Sequence, residues 1–538
     1  MYYITATEKF REGSLKVKKA ILLLLTFLFN ISVLAQVDTA WVRRYNGPGN
    51  GVDSATALAV DDSGNVYVTG GSYGNGTYLD YTTVKYAPNG NILWVRTYDG
   101  PASGDDIATS IKVDGKGNVY VTGSSDGQWG VTYFDYATIK YSSNGAILWV
   151  RRYNGPVNNR DLATTLAIDG KENVYVTGTS WGGITGDDYA TIKYGPDGDT
   201  IWVRRYNGPG NSDDIATALT VDDSGNAYVT GISFDTITFG DIVTIKYSPN
   251  GDTLWLRRFD GPAHGSDIPW DLDIDRSGNV YVTGRTSDTV TLFDYVTLKY
   301  DLNGNLLWLK YHDGGLYGSS DESRALTVDD SGNVYVTGVV GSFPNTDYGT
   351  IKYAANGDVV WQRVYNGPWD NDEIAIALDV DVFGNVYVTG RSNLYLDYDY
   401  ATLKYTPEGD TVWVRHYDGP ANGNDFPSAL KVDDKGNVYV VGSSSRLSYP
   451  SSYDYLTIKC IQFDCIALAG DATADNKILL PDIVTLINYL FKSQPAPNPF
   501  CRGDANADSN IQLSDIMYLI NFIFKSGPAP VKNRECCL

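Results

Sequence analysis

Two segments near the C-terminal end carry oxygen donors at intervals that suit a hard cation. One runs Gly470-Asp-Ala-Thr-Ala-Asp-Asn-Lys-Ile-Leu-Leu-Pro-Asp482. The other, 33 residues further on, runs Gly503-Asp-Ala-Asn-Ala-Asp-Ser-Asn-Ile-Gln-Leu-Ser-Asp515. With the first Asp of each as position 1, positions 1, 3, 5 and 12 hold side-chain oxygens. Ca²⁺ takes about six to eight oxygen ligands, and such a loop supplies them. Behind the loops, Ile483, Leu486, Ile487, Leu490 and Phe491, and then Ile516, Leu519, Ile520, Ile523 and Phe524, fall at helical spacing. The chemistry on offer is coordination: two calcium loops, each followed by an amphipathic helix.

The rest of the chain offers many acids but few groups suited to a relay. His264, His312 and His416 are the three histidines and lie far apart, so a His-rich metal centre or a two-His relay is not expected. The acids recur in register. One opens the third strand of each repeat: Asp80, Asp135, Asp188, Asp241, Asp294, Asp347, Asp399 and Asp454. A basic residue follows each register tryptophan by two: Arg43, Arg96, Arg151, Arg204, Arg257, Lys310, Arg363 and Arg415. If Lys246 pairs with Leu254 across a hairpin, Asp241 lies diagonal to Arg257, and an ion pair is expected there. A third set precedes the first strand: Asp53, Asp106, Asp161, Asp214, Asp267, Asp321, Glu373 and Asp425. Either each accepts hydrogen bonds from its own Asn-Gly-Pro loop, or the eight ring a mouth of a central channel and attract cations.

The elements that position these residues follow from self-similarity. Trp41, Trp94, Trp149, Trp202, Trp255, Trp308, Trp361 and Trp413 recur at spacings of 52 to 55 residues. Each unit reads as four short strands. They are an Ala-Thr-Ala-Leu-x-Val run such as 55–60, a Val-Tyr-Val-Thr run such as 66–69, the run 82–86, and a strand around the tryptophan. Asp-x-x-Gly-Asn and Pro-Asn-Gly turns punctuate them. Four-stranded antiparallel sheets at this period predict a β-propeller. The mature chain opens with a fourth strand (39–45), and its last repeat (ending at 454–460) lacks one. The first strand is therefore expected to complete the last blade, giving eight blades with no open edge. An open solenoid is the other architecture of such a repeat.

The Gly-Asn-Val-Tyr-Val-Thr-Gly motif with Asp-Tyr-x-Thr-Ile-Lys-Tyr after it resembles the bacterial SBBP β-propeller repeats over about 37–462. That resemblance implies the fold and leaves the ligand open. The paired loops at 470–530 resemble a type I dockerin, a small α-helical domain with two calcium sites. By position, the resemblance implies ligands Asp471, Thr473, Asp475, Lys477 (carbonyl) and Asp482. In the second half they are Asp504, Asn506, Asp508, Asn510 (carbonyl) and Asp515, with Gln512 contributing. Asn476 and Ser509 stand where the family has glycine, and Leu479 leaves position 9 of the first loop to water. A dockerin implies docking onto a cohesin-type module of a scaffold or cell surface.

Residues that break the eightfold pattern are better candidates for a ligand site than those that keep it. Trp129, Trp181, Trp270 and Trp369 lie outside the tryptophan register. All four are expected on the face of the longer loops, where flat rings suit sugar rings or peptide side chains. The net charge of −22 argues against nucleic acid as a partner. Residues 1–35 place Lys16, Lys18 and Lys19 before an apolar run and end in Val33-Leu-Ala35. This is the order of a secretory signal cleaved after Ala35, with no membrane span after its removal. The expected layout is a signal at 1–35, a propeller at 36–462, a linker at 463–469, the loop pair at 470–530 and a tail at 531–538.

All five cysteines lie late (Cys460, Cys465, Cys501, Cys536 and Cys537). Export permits disulfides, and the four outside the repeats are placed to staple the small domain. The reading is an exported, non-catalytic binding protein with an extracellular carbohydrate or protein ligand, secreted or held at the cell surface. Two alternatives stand beside it. One is a polysaccharide-degrading glycoside hydrolase or lyase. The other is a quinone-dependent dehydrogenase, suggested by the Gly251-to-Trp255 interval and the vicinal Cys536-Cys537. Chelation is expected to unfold 470–526 and leave 37–462 intact, measured as loss of the helical circular-dichroism signal with the β signal unchanged. Helical signal retained in chelator counts against the calcium assignment.

Overall fold

The β-branched and aromatic runs of each repeat form strands, because such side chains pack well on a pleated surface. This computed structural model describes residues 36–127, 133–235, 239–289, 292–314, 319–342, 345–393, 397–446, 452–463, 472–473, 478–492, 494–497, 502, 505 and 511–525. Among them, thirty-two strands form eight four-stranded sheets. The first sheet has the order β2 (Asp53–Val60), β3 (Val66–Tyr73), β4 (Leu79–Tyr86), β5 (Ile92–Tyr98), all antiparallel. Six more blades repeat it over 106–153, 161–206, 214–259, 268–312, 322–365 and 373–417. The strands, here called a to d within a blade, extend a few residues beyond the sequence reading. The acid expected just before strand a is therefore its first residue in six blades, Asp267 and Asp321 lie one residue ahead of it, and the acid expected to begin strand c lies inside that strand.

The eighth blade closes the ring. Its order is β1 (Gln36–Tyr45), β32 (Tyr453–Phe463), β31 (Val438–Ser445), β30 (Asp425–Val432). The first strand of the propeller thus hydrogen-bonds to the last, as the strand count predicts. Strand a of each blade packs beside strand a of the next, and β30 packs beside β2, so these eight strands line a central channel. Hydroxyls stitch them together. Thr56 Oγ1 donates to Ala108 O (2.7 Å), Thr109 to Ala163 O (3.0 Å) and Thr164 to Ala216 O (3.0 Å). At the seam, Ser428 donates to Ala55 O (2.8 Å).

The core lies between blades rather than within one. Tyr120, Tyr136 and Trp149 of blade 2 pack against Ala163, Leu166, Val174, Val176, Ala190 and Ile192 of blade 3, and other junctions repeat this wedge. Each a–b turn is held by its own aspartate. Asp61 Oδ1 accepts from the amides of Ser63 (3.0 Å) and Asn65 (2.9 Å), and Oδ2 from Asn65 Nδ2 (2.8 Å) and Tyr67 OH (2.9 Å). The same turn recurs at Asp114, Asp169, Asp222, Asp275, Asp329, Asp381 and Asp433.

Residues Val37–Gln462 form one compact unit. A second contains helices α1 (Leu480–Lys492) and α2 (Leu513–Lys525). There Ile483, Leu486, Ile516 and Leu519 are buried with Ala472, Ala505 and Ile511, the helical faces read from the spacing. The leader 1–35 and Cys465, Cys501, Cys536 and Cys537 lie outside the described residues. Cys460, on β32, is a buried free thiol.

Removing 36–45 is expected to leave the β32 edge unpaired, which templates self-association, read by light scattering. Ser428→Ala is expected to cost about 1 kcal/mol through the lost seam hydrogen bond, read from the denaturant midpoint.

Candidate functional site

The acids that open strand a do not ring a channel mouth. All eight are at most 1% exposed. Asp161 Oδ2 accepts from Gly155 N at 2.6 Å, and the same bond joins Gly47 to Asp53, Gly100 to Asp106, Gly208 to Asp214, Gly261 to Asp267, Gly314 to Asp321 and Gly419 to Asp425. Glu373 accepts from Ser392 Oγ at 3.0 Å. Each acid therefore anchors its own Asn-Gly-Pro or equivalent loop. Burial pushes Asp106, Asp161 and Asp214 up to about 6 and Glu373 up to about 7, although donated hydrogen bonds pull the other way.

The pairing expected between Asp241 and Arg257 is replaced by another, and the cause is a β-bulge. Lys246 pairs with Trp255 and Tyr247 with Thr253, so Leu254 is the extra residue. A one-residue slip moves side chains to the opposite face. Arg257 falls opposite Thr244, and Arg258 opposite Val243, diagonal to Asp241. Arg258 contacts Asp241, Arg152 Nη2 meets Asp135 Oδ2 at 2.8 Å, and Arg205 Nη2 meets Asp188 Oδ2 at 2.7 Å.

The basic residue two after each tryptophan works between blades. Arg257 Nε donates to Gly304 O (2.5 Å) and Trp255 Nε1 to Leu302 O (3.1 Å), both in the c–d turn of the next blade. Lys246 Nζ donates to that same Leu302 carbonyl (3.2 Å). Gly251, in the corresponding turn of blade 4, has φ +85° and lies where a Cβ would meet Trp202 at 2.9 Å. The Gly-to-Trp interval thus has an account in blade packing and needs no cofactor.

The lopsided residues are of a different kind. Trp181 lies under the Arg160 guanidinium at 5.8 Å, and Arg160 is paired with Asp187. Trp369 is 56% exposed in a d–a loop. Trp270 sits near the start of an inner strand (Ile268–Ile274) and is 41% exposed. Trp129 lies outside the described residues. At the place of Trp270, blades 1, 2, 3 and 8 carry the hydroxyl that bonds to the next blade, whereas blades 5, 6 and 7 carry Trp270, Arg324 and Ile376. Arg324 Nε meets Glu322 Oε1 at 3.1 Å, and Arg285 Nη1 meets Glu322 Oε2 at 2.7 Å.

A second lopsided set lines the channel and escaped the sequence reading. Lys112 of blade 2 feels Lys431 of blade 8, Asp271 and Asp273 of blade 5 and Asp379 of blade 7. Asp271 Oδ2 accepts from Leu326 N (2.8 Å), Asp273 Oδ2 from Val328 N (3.0 Å) and Asp379 Oδ2 from Val432 N (2.8 Å), tying adjacent inner strands. Burial pushes Asp271 up to about 7. Their signal was charge in inner strands that elsewhere hold Ala, Ser or Thr at these places.

In the second unit the last acid of each loop is buried and turned back onto its loop. Asp482 Oδ1 accepts from Thr473 N and Oγ1 (both 2.9 Å), and Oδ2 from Leu479 N (2.7 Å). Asp515 accepts from Ala505 N (2.9 Å) and Gln512 N (2.8 Å). Asp471, Asp475, Lys477, Asp504, Asn506, Asp508 and Asn510 lie outside the described residues. Thr473, Asp482, Gln512 and Asp515 therefore fit a loop closed by its final acid, the position from which a calcium ligand is offered.

Residues 40–76, 97–128 and 201–233 match the family described as SBBP: Beta-propeller repeat, in accord with the propeller repeat family expected from the motif. An uncharacterized WD repeat-containing protein of Acanthamoeba polyphaga mimivirus is 26% identical over 338 residues, 55% of this chain and 21% of that protein. The chain thus spans about a fifth of that relative's length. Among solved structures, Chaetomium thermophilum Sqt1 is 10% identical at a TM-score of 0.48, covering 79% of this chain and 98% of that one. The polysaccharide lyase Uly1 is 11% identical at 0.44, covering 75% and 89%.

Asp161→Ala is expected to destabilise by about 1–3 kcal/mol, because Gly155 N is left buried without an acceptor. Asp161→Asn is expected to cost less. Asp161, Asp214 and Glu373 bind protons more tightly when folded, so their contribution is full at low pH and is lost as pH rises through about 6 to 7. The propeller's melting temperature is expected to rise from about pH 8 to about pH 5.5, less so in Asp161→Asn.

Proposed function

We propose that this is an exported, non-catalytic binding protein, secreted or held at the cell surface. Its propeller takes an extracellular carbohydrate or protein ligand on the side of blades 5 to 7. Its C-terminal pair of loops binds two calcium ions and attaches the protein to a cohesin-type module. The observation that carries the reading is Trp270, a large ring 41% exposed on an inner strand, where other blades use a small hydroxyl to close the ring. Arg324 holds the equivalent place on the neighbouring inner strand. An aromatic face beside a guanidinium suits stacking on a sugar or side chain together with a polar contact. The repeated acids of strand a are engaged by their own loops, which leaves the lopsided residues as the ligand-facing set.

The test is a glycan array and a polysaccharide pull-down with the full chain, with reducing ends assayed in the same samples. Binding without release is expected, weakened about tenfold or more by Trp270→Ala. Release of reducing ends instead supports a polysaccharide-degrading enzyme. Capture on a cohesin-type module is expected in calcium and lost in chelator.

A further inference from the structure

Every inner strand carries one β-bulge at the same place. In blades 5, 6 and 7 the pairing with strand b jumps from Pro269 to Asp271, from Ser323 to Ala325 and from Ala375 to Ala377, so Trp270, Arg324 and Ile376 are the extra residues. A bulge leaves its residue out of the ladder and re-aims the side chain. In blades 1, 2, 3 and 8 the bulged residue is Thr56, Thr109, Thr164 or Ser428, and its hydroxyl reaches a carbonyl of the next blade. Trp270 and Arg324 have no hydroxyl to make that tie. Leu326 N donates to Asp271 Oδ2 at 2.8 Å and Val328 N to Asp273 Oδ2 at 3.0 Å. These bonds hold the strands Ile268–Ile274 and Glu322–Val328 in register and set the two bulges beside each other on the channel wall.

Neither side chain is used up by the fold. Among the described residues the Trp270 indole N–H has no acceptor, and no aromatic ring or cation lies against its face. The register tryptophan of the same blade, Trp255, donates to Leu302 O at 3.1 Å. Arg324 is partly exposed and spends only its Nε, on Glu322 Oε1 at 3.1 Å, so both Nη groups are without a partner among the described residues. The other oxygen of Glu322 takes Arg285 Nη1 at 2.7 Å. One carboxylate thus serves two guanidinium groups, and one positive charge is left over. The neighbouring acids are held by backbone amides that offset their charge: Asp321 by Gly314 and Gly341, and Asp271 by Leu272 and Leu326. A bare ring face and the open edge of a cation therefore stand side by side in a chain of net charge −22.

The complement of that edge is a carboxylate, which a guanidinium fork binds through two parallel hydrogen bonds. The complement of the ring is an apolar face. A uronate sugar carries both in one rigid unit, a C–H face and a carboxylate fixed to the ring. An acidic peptide carries its carboxylate on rotatable bonds that binding has to freeze. We infer that the ligand taken here is a carboxylated glycan, with a uronate ring stacked on Trp270 and its carboxylate paired with the Nη edge of Arg324. The inference rests on the ligand face proposed above and narrows it from carbohydrates and proteins in general to one chemical class.

The test titrates the full chain calorimetrically with polygalacturonate, alginate and hyaluronate, each beside its carboxyl-reduced, neutral counterpart, and with poly-glutamate. Binding to at least one uronate is expected, about tenfold or more tighter than to its reduced form or to poly-glutamate. The variants are Arg324→Thr and Trp270→Thr, which install the hydroxyl of blades 1 to 3. Glu322 keeps Arg285 as its partner in the first. Each variant is expected to weaken uronate binding about tenfold or more and to hold or raise the melting temperature. A lowered melting temperature with unchanged binding assigns both residues to the fold and overturns the inference. A reduced glycan bound as tightly as its acid, and weakened by Trp270→Thr but not by Arg324→Thr, overturns the inference and leaves the ligand face standing. Poly-glutamate bound as tightly as any uronate overturns the glycan class. Binding to none of these probes, or binding that neither variant weakens, overturns the inference and the face together.

Discussion

Side-chain donors of one blade find acceptors in the next. An ammonium, an indole N–H and a guanidinium, such as Lys246, Trp255 and Arg257, converge on the carbonyls of one neighbouring turn. The apolar wedge of Tyr, Trp, Val and Ile lies in the same gap. A single sheet therefore cannot satisfy itself, and the rest of the architecture follows from the need to go round and meet. Trp41 and Arg43, carried on β1, make the same contacts with Pro88 O and Gly90 O. Lys310 replaces the guanidinium in blade 5, and the approach of blade 7 to blade 8 differs further, because β32 has no hairpin after it. There Gln462 substitutes, contacting Lys404 and donating to Tyr387 OH and Gly436 O. Arg415 turns to Val37 O, and the Trp413 indole N–H is left without a partner.

Carboxylates are spread through this ring with distinct duties. One turns the a–b hairpin, one anchors the d–a loop, and one lies on strand c against an arginine or against other acids. The first sits among amides and hydroxyls that favour its charge: at Asp114 the hydrogen bonds from Asn118, Tyr120 and Lys116 outweigh burial and hold it below the usual range. At Asp106, Asp161 and Asp214, members of the second set, burial wins and the affinity for protons rises. The same residue type is thus used as a permanent charge at the rim and as a reluctant one between blades.

The period of the tryptophans, the four strands of each unit and the closing role of β1 were legible because each rests on local pattern: alternation, turn residues and a strand count. The pairing of Asp241 was not. One bulged residue, Leu254, changes which arginine faces it, and nothing in the alternation of Thr-Leu-Trp-Leu announces the bulge. Trp270 was visible as an exception near the start of a strand a, but its exposure depends on the packing of the inner strands. Lys112, Asp271, Asp273, Asp379 and Lys431 were missed because attention to identical positions hides charges scattered one or two per blade. Only the ring geometry brings them to one lumen. In the calcium loops the ligand pattern could be read directly, whereas the return of Asp482 onto Thr473 depends on how the loop closes over the helix.

The seam also sets the order in which the molecule can be completed. Its bonds join Arg44 to Ser445 O and Ser428 to Ala55 O across 401 and 373 positions of chain, so the contact order of this one joint is close to the largest the propeller allows. Loop closure of that length is slow. Seven blades can assemble as they emerge, but the earliest strand must wait, unpaired, until the final hairpin arrives.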